Sequence, residues 1–85
     1  MTDALALRRK LRWLLSTLPR HRRLSEENIF DRLRNGAFPD LRTEELQIAI
    51  HWNHTQGFIE YVRNADDECN EWSLTDEGWH KEGLA

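Results

Sequence analysis

Residues 43–63 read TEELQIAIHWNHTQGFIEYVR, and Gly57 divides that stretch into two different periodicities. Before it, Leu46, Ala49, Ile50 and Asn53 recur at three- and four-residue steps, the spacing that places side chains on one face of a helix. Thr43 is a natural cap for that helix, and Glu44 and Glu45 suit the positive end of its dipole. After Gly57, the run Phe58 to Arg63 is rich in β-branched and aromatic residues, as strands are. A polar turn over Asn64 to Asn70 and a second β run around Glu71 to Leu74 complete a hairpin.

Working outward from this helix-to-strand switch, two earlier helices come into view. Ala4, Leu7, Leu11, Leu14 and Leu18, widened by Leu15, form one apolar stripe and predict a helix over residues 3–18. Pro19 stops it, because proline lacks the backbone donor and pushes its predecessor out of helical geometry. Arg20, His21, Arg22 and Arg23 make a basic connector. Ser25 then caps a short helix from about Glu26, with Leu24 and Ile29 spaced as a hydrophobic staple and Asn35-Gly36 as a left-handed stop. At the other end, Thr75, Asp76 and Glu77 start a short terminal helix that brings Trp79 to the core. The expected core comprises Leu11, Leu14, Leu18, Ile29, Leu33, Leu46, Ile50, Ile59 and Leu74. The fold class is α+β, mostly α, with residues 1–85 as one domain.

Composition narrows the function. Hydrophobic residues make up 39% of the 85 and charged residues 32%, the balance of an ordinary globular chain. So small a domain needs most of its large apolar side chains for packing. The single cysteine, Cys69, has no internal disulfide partner and fits a reducing cytoplasm. Apolar residues near the N-terminus are interrupted by Arg8, Arg9, Lys10 and Arg12, which argues against a signal peptide or membrane span. The net charge of −3 is unevenly spread: residues 1–42 hold ten Lys/Arg and five Asp/Glu, whereas residues 43–85 hold two and ten. The basic half attracts polyanions and the acidic half repels them.

Two strings carry a resemblance. AIHWNHTQGFIE (49–60) resembles a recognition helix running through a glycine cap into the hydrophobic pair that opens a wing, and WSLTDEG (72–78) resembles the strand and cap that close it. Together with the element order, they make the chain similar to winged helix-turn-helix domains, including small bacterial regulators of the MarR and PadR type. That resemblance implies three helices, a two-stranded hairpin and a short C-terminal helix. It also implies a third helix presented to the major groove of duplex DNA with Thr43, Gln47, His51 and His54 outward, Gln47 suited to adenine and the histidines to guanine or phosphate. Arg42 is placed to grip backbone phosphate, flanked by Arg22 and Arg23. The sequence departs from the pattern in three places. The connection Asn35 to Arg42 is longer than a standard turn, Asn53 replaces an apolar core residue, and Asp66, Asp67 and Glu68 put acid at the wing tip.

Other readings rest on different residues. The acidic helix start and wing tip suit a protein partner or a homodimer, and Trp52 with Ile48 offers an apolar patch for one. The run Arg8, Arg9, Lys10 and Arg12 reads either as a second phosphate flank or as a solvated face paired with acidic residues. Trp72 and Trp79 are expected to close the core, with Trp13 at the edge of the first helix. His51 and His54 share a helical face, but a metal site needs at least three converging ligands, and neither His80 nor Cys69 is fixed beside them by spacing. No nucleophile-base pair, phosphate loop or carboxylate pair has a recognisable setting, so neither catalysis nor a cofactor is expected.

Overall fold

The computed structural model describes residues 2–19, 22–66 and 68–83; Arg20 and His21 of the basic connector and Asp67 of the turn lie outside them. The chain runs α1 (Ala4–Ser16), β1 (Leu24–Ser25), α2 (Glu26–Arg34), α3 (Thr43–Thr55), β2 (Ile59–Asn64), β3 (Cys69–Leu74) and α4 (Asp76–Lys81). This is an α+β fold whose described residues form four helices and a three-stranded antiparallel sheet in the order β1-β3-β2. The third strand corrects the expectation of two. β1 has only two residues, Leu24 opposite Trp72 and Ser25 opposite Glu71, too few to show an alternating pattern of their own.

Helix α1 opens on Asp3, whose carboxylate accepts from the N–H groups of Leu5 and Ala6 at 2.9 and 3.3 Å. Leu7, Leu11, Leu14 and Leu15 are buried. The helix closes at Ser16, two residues earlier than the stripe suggested, and Leu18 is only partly buried. The Ser16 and Thr17 hydroxyls donate to the Trp13 and Leu14 carbonyls at 2.6 Å each, satisfying acceptors at the helix end just before Pro19.

Ser25 caps α2 by accepting from the Asn28 N–H at 3.3 Å. The expected left-handed stop does not form: Asn35 is right-handed (φ −81°, ψ 0°). Instead the Phe38 N–H reaches the Leu33 carbonyl at 3.0 Å, so a wider turn takes up the end of the helix. The long connection to α3 is itself pinned down, because Leu41 is buried and Phe38 packs on the core.

Arg42, not Thr43, occupies the cap position of α3, and Thr43 is its first helical residue. The cap works in reverse, through a carboxylate that reaches back. Glu45 Oε1 accepts from the Arg42 N–H at 3.0 Å and from the Thr2 hydroxyl at 3.3 Å. The Arg42 N–H bond, with the Thr2 contacts behind it, holds the Glu45 carboxyl below its ordinary range against the opposing effect of burial. A folded-state pKa below the unfolded one gives stability that is present above the unfolded value and is lost as pH falls through the folded one. Glu45→Gln is therefore expected to lower Tm at neutral pH, and the gap from the parent protein is expected to close as pH drops below about 4. Thermal melts followed by circular dichroism across that range check it; a constant gap at every pH would assign the effect to something other than charge.

Gly57, at φ +81°, turns the chain from α3 into β2 in a conformation that favours glycine. The hairpin pairs Ile59 with Leu74 and Tyr61 with Trp72, so Leu24, Trp72 and Tyr61 form one cross-strand row. Ile59, Trp72 and Leu74 are buried on that face. Thr75 caps α4, accepting from the Gly78 N–H at 3.1 Å, and buried Trp79 docks the helix.

Candidate nucleic-acid interface

Advancing about 100° per residue along α3 places Thr43, Gln47, His51 and His54 on one flank and Glu44, Ile48 and Trp52 on the next. The four polar residues of the first flank are all exposed. The hairpin meets this flank at its C-terminal end. The His54 ring lies edge-on to Tyr61 (centroids 5.6 Å apart) and to Trp72 (5.5 Å), and Tyr61 packs on Trp72 at 5.2 Å. Tyr61 stays 48% exposed, and Arg63, two residues along the same strand face, is exposed as well. The polar flank thus continues onto β2. Tyr61 and Arg63 belong to this surface although the resemblance did not single them out; their two-residue steps from Ile59 along the strand were the available signal.

At its N-terminal end the flank meets α2. A concavity of about 210 Å³ is lined by Thr43, Leu46, Glu26, Glu27 and Phe30, and the Arg34 guanidinium lies 5.5 Å from the Phe30 ring. Two acidic residues therefore stand beside the first turn of α3. Arg22 and Arg23 are exposed, but they are not gathered at that spot. β1 runs antiparallel to β3 with Leu24 opposite Trp72. Residues before Leu24 therefore lead toward the base of the hairpin, and residues after Ser25 lead into α2. At the tip, Asp66 and Glu68 are exposed. The surface is mixed in charge, with Arg42, Arg63 and Arg34 set among Glu26, Glu27 and Glu44.

The basic run of α1 forms neither of the two surfaces its sequence left open, a phosphate flank or a solvated face, as a whole: Arg9 is exposed, Arg8 and Lys10 are half-buried and Arg12 is buried. Arg8 lies over the Trp52 ring, 4.5 Å from the centroid, and Lys10 lies over Trp13 at 3.8 Å. Arg12 is 5% exposed and donates from Nη1 to Asn53 Oδ1 at 2.9 Å. Its Nε sits 3.6 Å from Glu82 Oε1, an ion pair longer than a hydrogen bond, and its guanidinium faces the Phe58 ring. Burial holds the Arg12 pKa below its ordinary value, with Glu82 opposing that shift and Arg9 adding to it. Asn53, fully buried, also donates to the Ala49 and Arg8 carbonyls at 3.1 and 3.4 Å. Trp72 and Trp79 are buried as expected, Trp52 is half-buried, and Trp13 is 50% exposed.

Among the described residues no three His, Cys, Asp or Glu side chains converge as a metal site would require, and no helix is long and apolar enough to cross a membrane. His54 is engaged with Tyr61 and Trp72, and Cys69 is half-buried at the start of β3. In comparisons with protein-family models, curated proteins and solved structures, nothing matches the chain.

Proposed function

We propose that this chain is a winged helix-turn-helix domain that binds duplex DNA in a transcription-associated role in a bacterial cytoplasm, with α3 entering the major groove and the β2–β3 hairpin as its wing. The observation that carries this reading is the exposed polar flank of α3. Thr43, Gln47, His51 and His54 share it, and it continues through Tyr61 to Arg63. A helix in the major groove reads base edges with side chains of this kind, and Gln47 suits the donor-acceptor pair of adenine. Arg42 at the head of α3 takes a phosphate, and Arg22 and Arg23 take a further stretch of backbone.

Fluorescence anisotropy with a labelled random duplex at two salt concentrations tests it. Binding is expected at low salt and is expected to weaken steeply as counterions compete for phosphate. Arg42→Ala should flatten the log-log salt dependence by about one unit, and Gln47→Ala should relax preference among sequences by about 1–3 kcal/mol. Neutralising Asp66, Asp67 and Glu68 should strengthen binding by removing like charge. Absence of low-salt binding at high micromolar protein would reject the reading. A second reading, a protein-interaction module, is favoured by the diversion of Arg8 and Arg12 into ring and buried contacts and by Glu26 and Glu27 beside α3.

A further inference from the structure

Three of the large apolar side chains left most exposed, Leu5 (52%), Trp13 (50%) and Ile48 (63%), lie on α1 and α3 and away from the polar flank just described. Helix geometry arranges them in rows. On α1, Leu5, Arg9 and Trp13 follow one another at four-residue steps; on α3, Glu44, Ile48 and Trp52 do the same. Two contacts set how the helices lie beside each other. The Thr2 hydroxyl reaches Glu45, and the Arg8 guanidinium covers Trp52. Leu5 lies midway between Thr2 and Arg8 in sequence, and Ile48 between Glu45 and Trp52. The two helices therefore run side by side in the same direction, with Leu5 level with Ile48.

The outer face of this seam has an apolar centre of Leu5, Ile48 and the half-buried Trp52, with a cation, Arg9, on the α1 side and an anion, Glu44, on the α3 side. Beside Ile48 opens a concavity of about 600 Å³, lined by Asp40, Glu44 and Glu45 together with Thr2, Arg42 and Ile48. Three carboxylates against one guanidinium make it acidic, and exposed Arg9 lies across the apolar centre from it.

We infer that the occupant of this face is a second copy of the same chain, related by a two-fold axis through the Leu5–Ile48 centre. A patch with opposite charges on its two sides is complementary to itself under such an axis. Ile48 packs on Leu5 and Ile48 of the other copy, and Arg9 of each copy enters the other's acidic concavity. The axis lies on the opposite-charge midline, so both Arg9–Glu44 contacts form together. The patch sits roughly 100° around α3 from the Thr43–Gln47–His54 flank, so the dimer leaves that flank open.

Sedimentation equilibrium of the full chain, from a few micromolar to about 200 µM, tests this, because an interface of modest size associates in that range. The parent protein is expected to reach twice the chain mass. Ile48→Glu changes an exposed residue, so the fold is retained, and it is expected to weaken association at least about tenfold with an unchanged circular dichroism spectrum. Arg9→Glu and Glu44→Arg should each weaken it, and the two together should restore it, since the contact then re-forms with its signs exchanged. A monomeric parent at the highest concentration, an Ile48→Glu protein as dimeric as the parent, or a double variant weaker than either single one would overturn the proposal. The measurement contains no DNA, so its outcome is independent of the proposed nucleic-acid binding.

Discussion

Arg12→Ala is expected to destabilise the fold by about 2–4 kcal/mol, the cost of leaving a buried acceptor unpaired together with the packing that the side chain supplied. For 85 residues, that is a large part of a total stability of about 4–13 kcal/mol. Three separate losses combine. Asn53 Oδ1 loses the donor that sits 2.9 Å away, Glu82 loses its cation, and the space beside Phe58 empties. The guanidinium joins α1 to α3 and to the residue that follows α4, so the damage is spread over three elements. Urea unfolding at neutral pH measures it. The companion variant Arg12→Leu with Asn53→Leu removes both ends of the Arg12–Asn53 hydrogen bond and is expected to recover part of the loss, because apolar groups then replace both of its partners while Glu82 stays without its cation. A single variant within about 0.5 kcal/mol of the parent would show that the buried guanidinium contributes no net stability.

Gly78→Ala is expected to cost about 3 kcal/mol and to lower Tm by at least about 10 °C, although alanine is intrinsically the better helix former by about 1 kcal/mol. Gly78 lies in α4 where the helix crosses the start of the hairpin. A Cβ there would overlap the Phe58 carbonyl oxygen and come within 2.8 Å of Leu74 Cδ2. Neither neighbour can yield easily. The Phe58 carbonyl accepts the Thr75 N–H at 3.0 Å, and Leu74 is buried in the core. The helix must therefore lift, and Trp79 must lift with it. Near-ultraviolet circular dichroism reports that displacement through the tryptophan signal, alongside the thermal melt. A Gly78→Ala protein as stable as the parent, with an unchanged aromatic spectrum, would contradict the close packing of α4 on Phe58.

The fate of the arginines connects stability to function. Arg8, Arg9, Lys10 and Arg12 lie within little more than one turn of one helix, yet they have different neighbours: a tryptophan ring, solvent, a second tryptophan ring and a buried asparagine. A count of basic residues in the first half overstates the charge free to meet a phosphate. The proposed DNA surface accordingly depends on Arg42, Arg63 and the pair Arg22 and Arg23, and these phosphate contacts carry its expected salt dependence.

How much of this was legible in the sequence depends on the range of the interactions involved. Helix periodicity, the caps at Ser25 and Thr75, the end of α3 at Gly57 and the β-branched and aromatic run that opens the hairpin all arise between residues a few positions apart, and each appears where those local patterns put it. Eight of the nine expected core residues are buried, since an apolar stripe points inward whatever it packs against; Leu18 falls short because Ser16 and Thr17 close the helix before it. What only the tertiary structure decided are pairings between distant segments. Two residues become β1 because β3 offers an edge, and Asn53 and Arg12 are buried because they satisfy each other across 41 positions. Glu45 caps α3 by reaching back to Arg42 and across to Thr2, and Tyr61 joins the face of α3 because the hairpin folds against His54. A polar side chain in sequence carries no mark of whether it faces water or a partner, because the partner's position is set only when the helices and the sheet pack together.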